Sequence, residues 1–205
     1  MENKIIENSL QKALSYEAYM ELVKQLASEG KTSGPEQTDV RINFTKLNMS
    51  RMRRLNKTLA IPEKAVKSFK RINKRQTWLV IMESWCADGA QTIPVLNKIC
   101  EEVTNLDLRI VLRDENPELM DLFLTSGTRS IPKLIVLDGD VNVVHTWGPR
   151  SGTVMNMVAA YKSQNGKIDD PFKEFLQIWY NRDGGMAIIE DLVKLVEETP
   201  LAEKR

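Results

Sequence analysis

The residues best suited to chemistry lie in segment 84–94, whose sequence is SWCADGAQTIP. Cys86 follows an apolar run typical of a buried strand and precedes a segment with helical character, so we expect it at the start of a helix. Free backbone N–H groups and the positive end of the helix dipole stabilise a thiolate at that place. Because the thiolate is the species that attacks a disulfide, the segment predicts thiol–disulfide chemistry at Cys86.

The second thiol of such a redox motif is missing. Gly89 occupies the position three residues after Cys86, and Cys100 is the only other cysteine. The two cysteines are expected on one helix, about 21 Å apart at 1.5 Å per residue. A disulfide needs Cα atoms within about 7 Å, so an internal bridge is excluded. Cys100 is predicted to be a buried, small apolar residue.

The elements that must hold Cys86 in place follow from the apolar pattern of the middle segment, defined as residues 76–165. Continuous apolar runs predict buried strands, and the sequence Asp138-Gly139-Asp140 predicts a hairpin turn. The predicted strands are 78–82, 106–112, 133–137 and 141–147, and the predicted helices are 88–104, 116–124 and 152–164. The middle segment is therefore predicted as β-α-β-α-β-β-α.

The flanking residues are predicted to be helical. Apolar residues recur every four positions from Ile6 to Leu26, and further helices are expected at 38–58, 61–73, about 172–183 and 186–198. Residues 1–76 contain sixteen Lys/Arg and eight Asp/Glu, whereas residues 77–205 contain thirteen and twenty. We therefore predict an N-terminal helical extension over 1–75 that packs on the core, a domain over 76–165, and C-terminal helices over 166–205.

The middle segment resembles thioredoxin at four places that lie in the same order and at the same offsets. These are Trp85-Cys86 at a strand-to-helix junction, Pro94 eight residues after the cysteine, the sequence GTRSIPKL at 127–134, and the turn at 138–140 with the following Trp147-Gly148. The resemblance implies an α/β fold of thioredoxin type: three layers, α/β/α, around a mixed sheet, with the helical extensions outside it. It also implies a cis peptide bond at Ile131-Pro132, although a plain turn at Pro132 is the alternative.

A narrower resemblance concerns the motif itself. Residues 85–91, WCADGAQ, are similar to the motif W-C-G-D-x-A-Q of a bacterial branch of thioredoxin-like proteins with a single active-site cysteine. Ala87 departs from the glycine of that motif. The resemblance implies an active-site motif of Trp85, Cys86, Ala87, Asp88 and Gly89, and a substrate-binding edge formed by Ile131 and Pro132.

Two functions remain open from these residues. In monothiol exchange, Cys86 attacks a disulfide-containing protein or a low-molecular-weight thiol adduct, and an external thiol reductant resolves the intermediate. In the alternative, the protein is a non-catalytic binding module of thioredoxin fold. Catalysis predicts a pKa of Cys86 below about 8.5, whereas a higher pKa favours the binding module.

Three residues near the cysteine bear on that pKa. Val80 stands where thioredoxins bury an acid, six residues before the cysteine. Glu83 is three residues further on, and strand alternation predicts that it points to the opposite face. Asp88 favours the helix in whose first turn it lies, but its charge opposes ionisation of Cys86. The helix terminus and Asp88 therefore act on the thiol in opposite directions.

Residues 51–75 form a basic segment, with ten Lys/Arg and the single acid Glu63. Such a segment can contact nucleic-acid phosphates, or it can be a solvated helical face that docks on the acidic remainder of the chain. Phe69 is its only aromatic residue, so base stacking has little support and nucleic acid is not an expected partner.

Composition excludes several other classes. The single histidine, His145, and two separated cysteines predict no metal site, and the absence of a phosphate-binding glycine loop or dinucleotide fingerprint predicts no cofactor. No apolar run approaches the roughly 18 residues of a membrane span. The N-terminal residues mix charged and apolar types too evenly for a signal peptide, so a cytoplasmic protein is expected.

Overall fold

A computed structural model describes residues 2–198, which form an α/β fold around one mixed sheet. The strands are β1 (Gln76–Met82), β2 (Leu106–Leu112), β3 (Lys133–Leu137) and β4 (Val143–Trp147). They lie in the order β2-β1-β3-β4. β1 pairs in parallel with β2 and antiparallel with β3, and β4 is antiparallel to β3. The central strand β1 therefore ends four residues before Cys86 and positions the segment that contains it.

The helices surround this sheet. Four precede it: α1 (Glu2–Lys12), α2 (Tyr16–Ser28), α3 (Asp39–Thr58) and α4 (Glu63–Phe69). Two are inserted between its strands: α5 (Ala87–Glu102) and α6 (Pro117–Leu122). Three follow it: α7 (Gly152–Asn165), α8 (Asp170–Asp183) and α9 (Met186–Glu198). Within residues 2–198, no helix is both long enough and apolar enough to cross a membrane.

The predicted order β-α-β-α-β-β-α is confirmed for the middle segment, and β2 and β3 have the predicted bounds. The predicted start of β4 at residue 141 was wrong, because the hairpin turn extends further. Val141 has a left-handed φ of 64°, and Asp138 Oδ1 accepts hydrogen bonds from the backbone N–H groups of Asp140 and Asn142. The turn thus uses two residues that periodicity assigned to the strand.

The apolar repeat between Ile6 and Leu26 conceals a break between α1 and α2. Ser15 caps α2 by accepting a hydrogen bond from the N–H of Ala18. Leu14 exchanges two backbone hydrogen bonds with Ile110, of 2.8 and 2.9 Å. Because β2 is an edge strand of the sheet, this bridge satisfies part of its exposed backbone.

The core extends from the sheet into both helical extensions. The side chains of β1 from Trp78 to Met82 are fully buried, as expected for a strand covered on both faces. Ile6 of α1, Tyr19 of α2 and Leu192 of α9 are fully buried in the same cluster. Helices α1, α2 and α9 therefore share one apolar core with the sheet, whereas α8 packs with α7 in a second cluster.

A buried polar cluster joins Ser33 and Asn48, in the N-terminal part of the chain, to Ser84, which lies two residues after the end of β1. The Ser84 N–H donates to Ser33 Oγ at 2.8 Å, and the Ser33 N–H donates to Ser84 Oγ at 2.9 Å. Asn48 of α3 donates from Nδ2 to the Ser84 carbonyl at 2.8 Å. Buried polar groups with satisfied partners define a single arrangement, so these bonds fix the backbone that enters the site.

We expect Asn48→Ala to lower the free energy of unfolding by about 1–3 kcal/mol, because it leaves the buried Ser84 carbonyl without its side-chain donor. Urea denaturation measures this loss. The matched control is Asn73→Ala at an exposed position, where a change within about 0.5 kcal/mol is expected. Equal effects of the two substitutions would contradict a structural role for the Asn48 bond.

Candidate functional site

The thiol of Cys86 occupies the N-cap position of α5. Its Sγ accepts a hydrogen bond from the N–H of Gly89 and donates its own proton to the carbonyl oxygen of Ile131, both at 3.4 Å. The residue is 7% exposed. A sulfur therefore takes the capping role that serine, threonine or aspartate usually fills, and Cys86 is one of the residues that line a cleft.

The edge beside this thiol is formed by Ile131 and Pro132, joined by a cis peptide bond. Gly148, at the end of β4, lies against this edge with a φ of 110°, and a Cβ atom there would collide with the Pro132 carbonyl oxygen. Only glycine tolerates both that conformation and that approach. The structure thus brings together Cys86, Ile131 and Pro132, which the sequence placed in one site.

Asp88 connects the thiol's helix to two distant segments. Its Oδ2 pairs with Arg150 Nη2 at 2.7 Å, and its Oδ1 accepts a hydrogen bond from the Tyr180 hydroxyl at 2.9 Å. Arg150 follows β4, and Tyr180 belongs to α8. The sequence identified Asp88 but not these partners, since they lie far from it along the chain.

Burial and the charge of Asp88 raise the pKa of Cys86 to about 12. The Gly89 N–H and the charge of Arg150 act in the opposite direction but have smaller effects. The expectation that catalysis requires a pKa below about 8.5 is therefore not met in this conformation. Desolvation is the influence that the sequence could not supply, because it depends on the segments that cover the thiol.

The methyl group of Met82 fills the space beside Gly89. A Cβ atom built on Gly89 would collide with Met82 Cε and lie 3.5 Å from the Cβ of Cys86. The loss of the resolving thiol, predicted from sequence, is thus accompanied by a second side chain that occupies its place.

Trp85 lies under two guanidinium groups. The Cζ atoms of Arg41 and Arg113 lie 4.3 and 4.9 Å from the centroid of its ring. Cation–π contacts of this kind contribute about 0.5–2 kcal/mol each, more where they are desolvated. Trp85 therefore holds two cations in the cleft that Cys86 also lines.

Glu83 is fully buried directly after β1. Its carboxylate accepts hydrogen bonds from the Ser33 hydroxyl and, at 2.9 Å, from the N–H of Asp114. The assignment of Glu83 to the strand was wrong because β1 ends at Met82, and strand alternation therefore does not determine where Glu83 points. Burial raises the pKa of Glu83 despite these hydrogen bonds.

The cleft at Cys86 has a volume of about 420 Å³. Its walls include four arginines, Arg41, Arg113, Arg129 and Arg150, and one acid, Asp88. The sequence does not show these arginines to be a group. Only Arg129 lay in a recognisable motif, and the other three come from unrelated segments.

The basic segment 51–75 does not line this cleft, although its first residue, Arg51, lines a neighbouring cleft together with Asp88 and Arg150. Nine of its ten cations are exposed, and within residues 2–198 none of the ten forms an ion pair. α4 does contact α9, where the Ser68 hydroxyl donates to Glu197. The part of the chain that the structure describes also contains no group of three or more His, Cys, Asp or Glu side chains arranged to hold a metal ion.

Comparison with known proteins agrees with this fold. A family model described as thioredoxin matches residues 34–162. A crystal structure of a protein of unknown function from Pseudomonas aeruginosa is similar over 90% of this chain and 98% of its own, with 18% identity and a TM-score of 0.59. An HIV epitope-scaffold covers 91% of this chain and 99% of its own, with 19% identity and a TM-score of 0.56. No match was found among curated proteins.

We expect Asp88→Asn to lower the pKa of Cys86, because it removes a like charge near the thiolate and releases the Arg150 cation. In a Cys100→Ser background, the alkylation rate at pH 8 should rise about tenfold, and its pH profile should move to lower pH. Asp140→Asn, on an exposed residue of the hairpin turn outside the cleft, is the control. An unchanged profile for Asp88→Asn would mean that burial alone sets the pKa.

The raised pKa of Glu83 makes stability depend on pH in a defined direction. The folded protein binds this proton more tightly than the unfolded chain, so the stabilisation is complete below the unfolded pKa and is lost as pH rises through the folded pKa. Glu83→Gln should remove this loss. We expect its free energy of unfolding, relative to that of the unsubstituted protein, to increase from pH 4.5 to pH 8 in urea titrations. The exposed Glu115→Gln should show no such trend.

Proposed function

Because the chain belongs to the thioredoxin family, we propose that it carries out thiol–disulfide exchange with Cys86 as its single nucleophile. One observation supports this most directly: the Cys86 sulfur caps α5 and contacts the carbonyl of Ile131 at the cis-proline edge. The helix terminus offers donors to the thiolate, and the edge offers backbone groups to a substrate. Trp85, Ala87 and Asp88 line the cleft in which the exchange takes place.

The proposed reaction has two steps. The Cys86 thiolate attacks one sulfur of a disulfide R–S–S–R′, which forms a Cys86–S–S–R bond and releases R′–S⁻, which takes up a proton from solvent. Gly89 provides no second thiol, so an external thiol R″–SH, as its thiolate, attacks the mixed disulfide. This step releases the Cys86 thiolate and R–S–S–R″. Each step breaks one S–S bond and forms another, and the electrons for reduction come from the external thiol.

The raised pKa of Cys86 slows this reaction at neutral pH. At pH 7 the thiol reacts more slowly than an ordinary thiol, because the smaller thiolate fraction outweighs the greater nucleophilicity of the thiolate. Exchange therefore depends on a bound substrate that stays next to the sulfur. The proposed reaction needs a reducing compartment such as the cytoplasm, where external thiols are abundant.

The same pKa favours a second candidate function. A protonated, 7% exposed thiol that donates to Ile131 is also what a non-catalytic binding module would keep. In that case the cleft binds a partner through its walls, and Cys86 serves as a cap of α5. The two functions differ in whether Cys86 forms a mixed disulfide that an external thiol reverses.

Mass spectrometry after incubation with hydroxyethyl disulfide distinguishes them. We expect one adduct on the unsubstituted protein and on Cys100→Ser, no adduct on Cys86→Ser, and full reversal by added 2-mercaptoethanol. Cys100 is the internal control, since burial raises its pKa well above the ordinary value. Adducts on Cys100 alone, or on neither cysteine at pH 8 after hours, would favour the binding module.

A further inference from the structure

Four guanidinium groups converge on the cleft of Cys86 from four separate segments. Arg41 comes from the first turn of α3, Arg113 follows β2, Arg129 precedes the cis-proline, and Arg150 follows β4. No local sequence pattern links these positions. A ligand that occupies the cleft therefore lies among these guanidinium groups.

The carboxylates that pair with three of these arginines lie outside the cleft walls. Arg41 pairs with Glu36, Arg113 with Asp114 and Arg129 with Asp121. None of those acids lines the cleft. The Arg129–Asp121 pair is half-exposed, so it is weak and screened and leaves Arg129 able to bind an anion. Arg150 pairs with Asp88, the one acid in the cleft walls.

Two donors in the cleft walls have no acceptor. Trp85 Nε1 and Arg150 Nε are buried and have no hydrogen-bond partner within residues 2–198. A buried donor without an acceptor destabilises the fold. Both nitrogens are fully buried, so a ligand in the cleft reaches them only when neighbouring side chains move. Indole and guanidinium nitrogens only donate, so the ligand atoms that match them are acceptor oxygens.

We propose that the arginine-lined cleft selects low-molecular-weight disulfides that carry carboxylate groups. This inference rests on the proposed function, because it names the substrate class of the same site. Arginine binds carboxylates through two parallel hydrogen bonds, and a cleft of about 420 Å³ suits a small molecule. The carboxylates hold the disulfide while Cys86 attacks it, and the cations stabilise the leaving thiolate of the first step.

A charge series of small disulfides tests the proposal in the Cys100→Ser background. Three probes are compared at pH 8. The probe 3,3′-dithiodipropionate carries two negative charges, hydroxyethyl disulfide carries none, and cystamine carries two positive charges. Rates of Cys86 adduct formation are measured by mass spectrometry. Each rate is divided by that of 2-mercaptoethanol with the same disulfide, so that the intrinsic reactivity of the probe cancels.

We expect the normalised rate of the dianion to exceed that of the dication at least about tenfold at low ionic strength. The ratio should fall towards one in about 0.5 M salt, where charges are screened within a few ångströms. A ratio near one at low salt, with adducts still formed, would overturn the inference and leave monothiol exchange intact.

Two variants should change this ratio in opposite directions. Arg129→Gln removes a half-exposed cleft cation and should lower it, whereas Asp121→Asn frees the same guanidinium from its partner and should raise it. Arg109→Gln is the matched control, since Arg109 is also partly exposed and paired, with Asp107, but does not line the cleft. Equal ratios in all three variants would also overturn the inference.

Failure of the exchange itself leads to a separate measurement. If no probe forms an adduct, the proposed function fails, and the cleft is titrated with suberate, which has methylene groups in place of the two sulfurs. A saturating shift of the Trp85 indole N–H resonance that weakens in Arg129→Gln supports an anionic ligand, and no shift overturns it.

A protein disulfide such as insulin that reacts faster than the dianion, equally in Arg129→Gln, would overturn the inference in favour of a protein substrate.

Discussion

The reciprocal hydrogen bonds between Ser33 and Ser84 are the contact on which the rest of the site depends. They join two backbone segments 51 residues apart, one from the loop before α3 and the other from the turn before α5. Both residues are buried, so either backbone N–H would lose its partner without a replacement from water. Because Trp85 and Cys86 follow Ser84 directly, the position of the thiol is fixed from the N-terminal side of the chain as well as from the sheet.

The thiol lies under two opposing influences, and the structure gives the balance between them. The start of α5 provides the Gly89 N–H, which favours the thiolate. Burial and Asp88 favour the thiol, and they prevail. Asp88 also anchors Arg150 and Tyr180, so the charge that suppresses the sulfur is the same charge that holds the loop after β4 and α8 against the site.

The sequence predicted the sheet well because its central strands are buried on both faces, and a short continuous apolar run is typical of such strands. It also identified Cys86, Ile131 and Pro132, since local motifs mark them. It missed the break at Leu14 because the apolar repeat continues across it while the backbone bonds to Ile110. It missed the arginine cleft and the bond from Tyr180 to Asp88 for a similar reason: these contacts join residues that only the tertiary fold brings together.

Met82 has a consequence for how such a site can change. The volume beside Gly89 is taken up by the end of a flexible side chain, and not by backbone. Methionine adapts its rotamers more readily than any branched residue, so the helix can accept a larger side chain at position 89 if the thioether turns away. One substitution at position 89 and one rotamer change of Met82 therefore separate a one-thiol form of this scaffold from a two-thiol form. The β-sheet and the first turn of α5 are common to both forms.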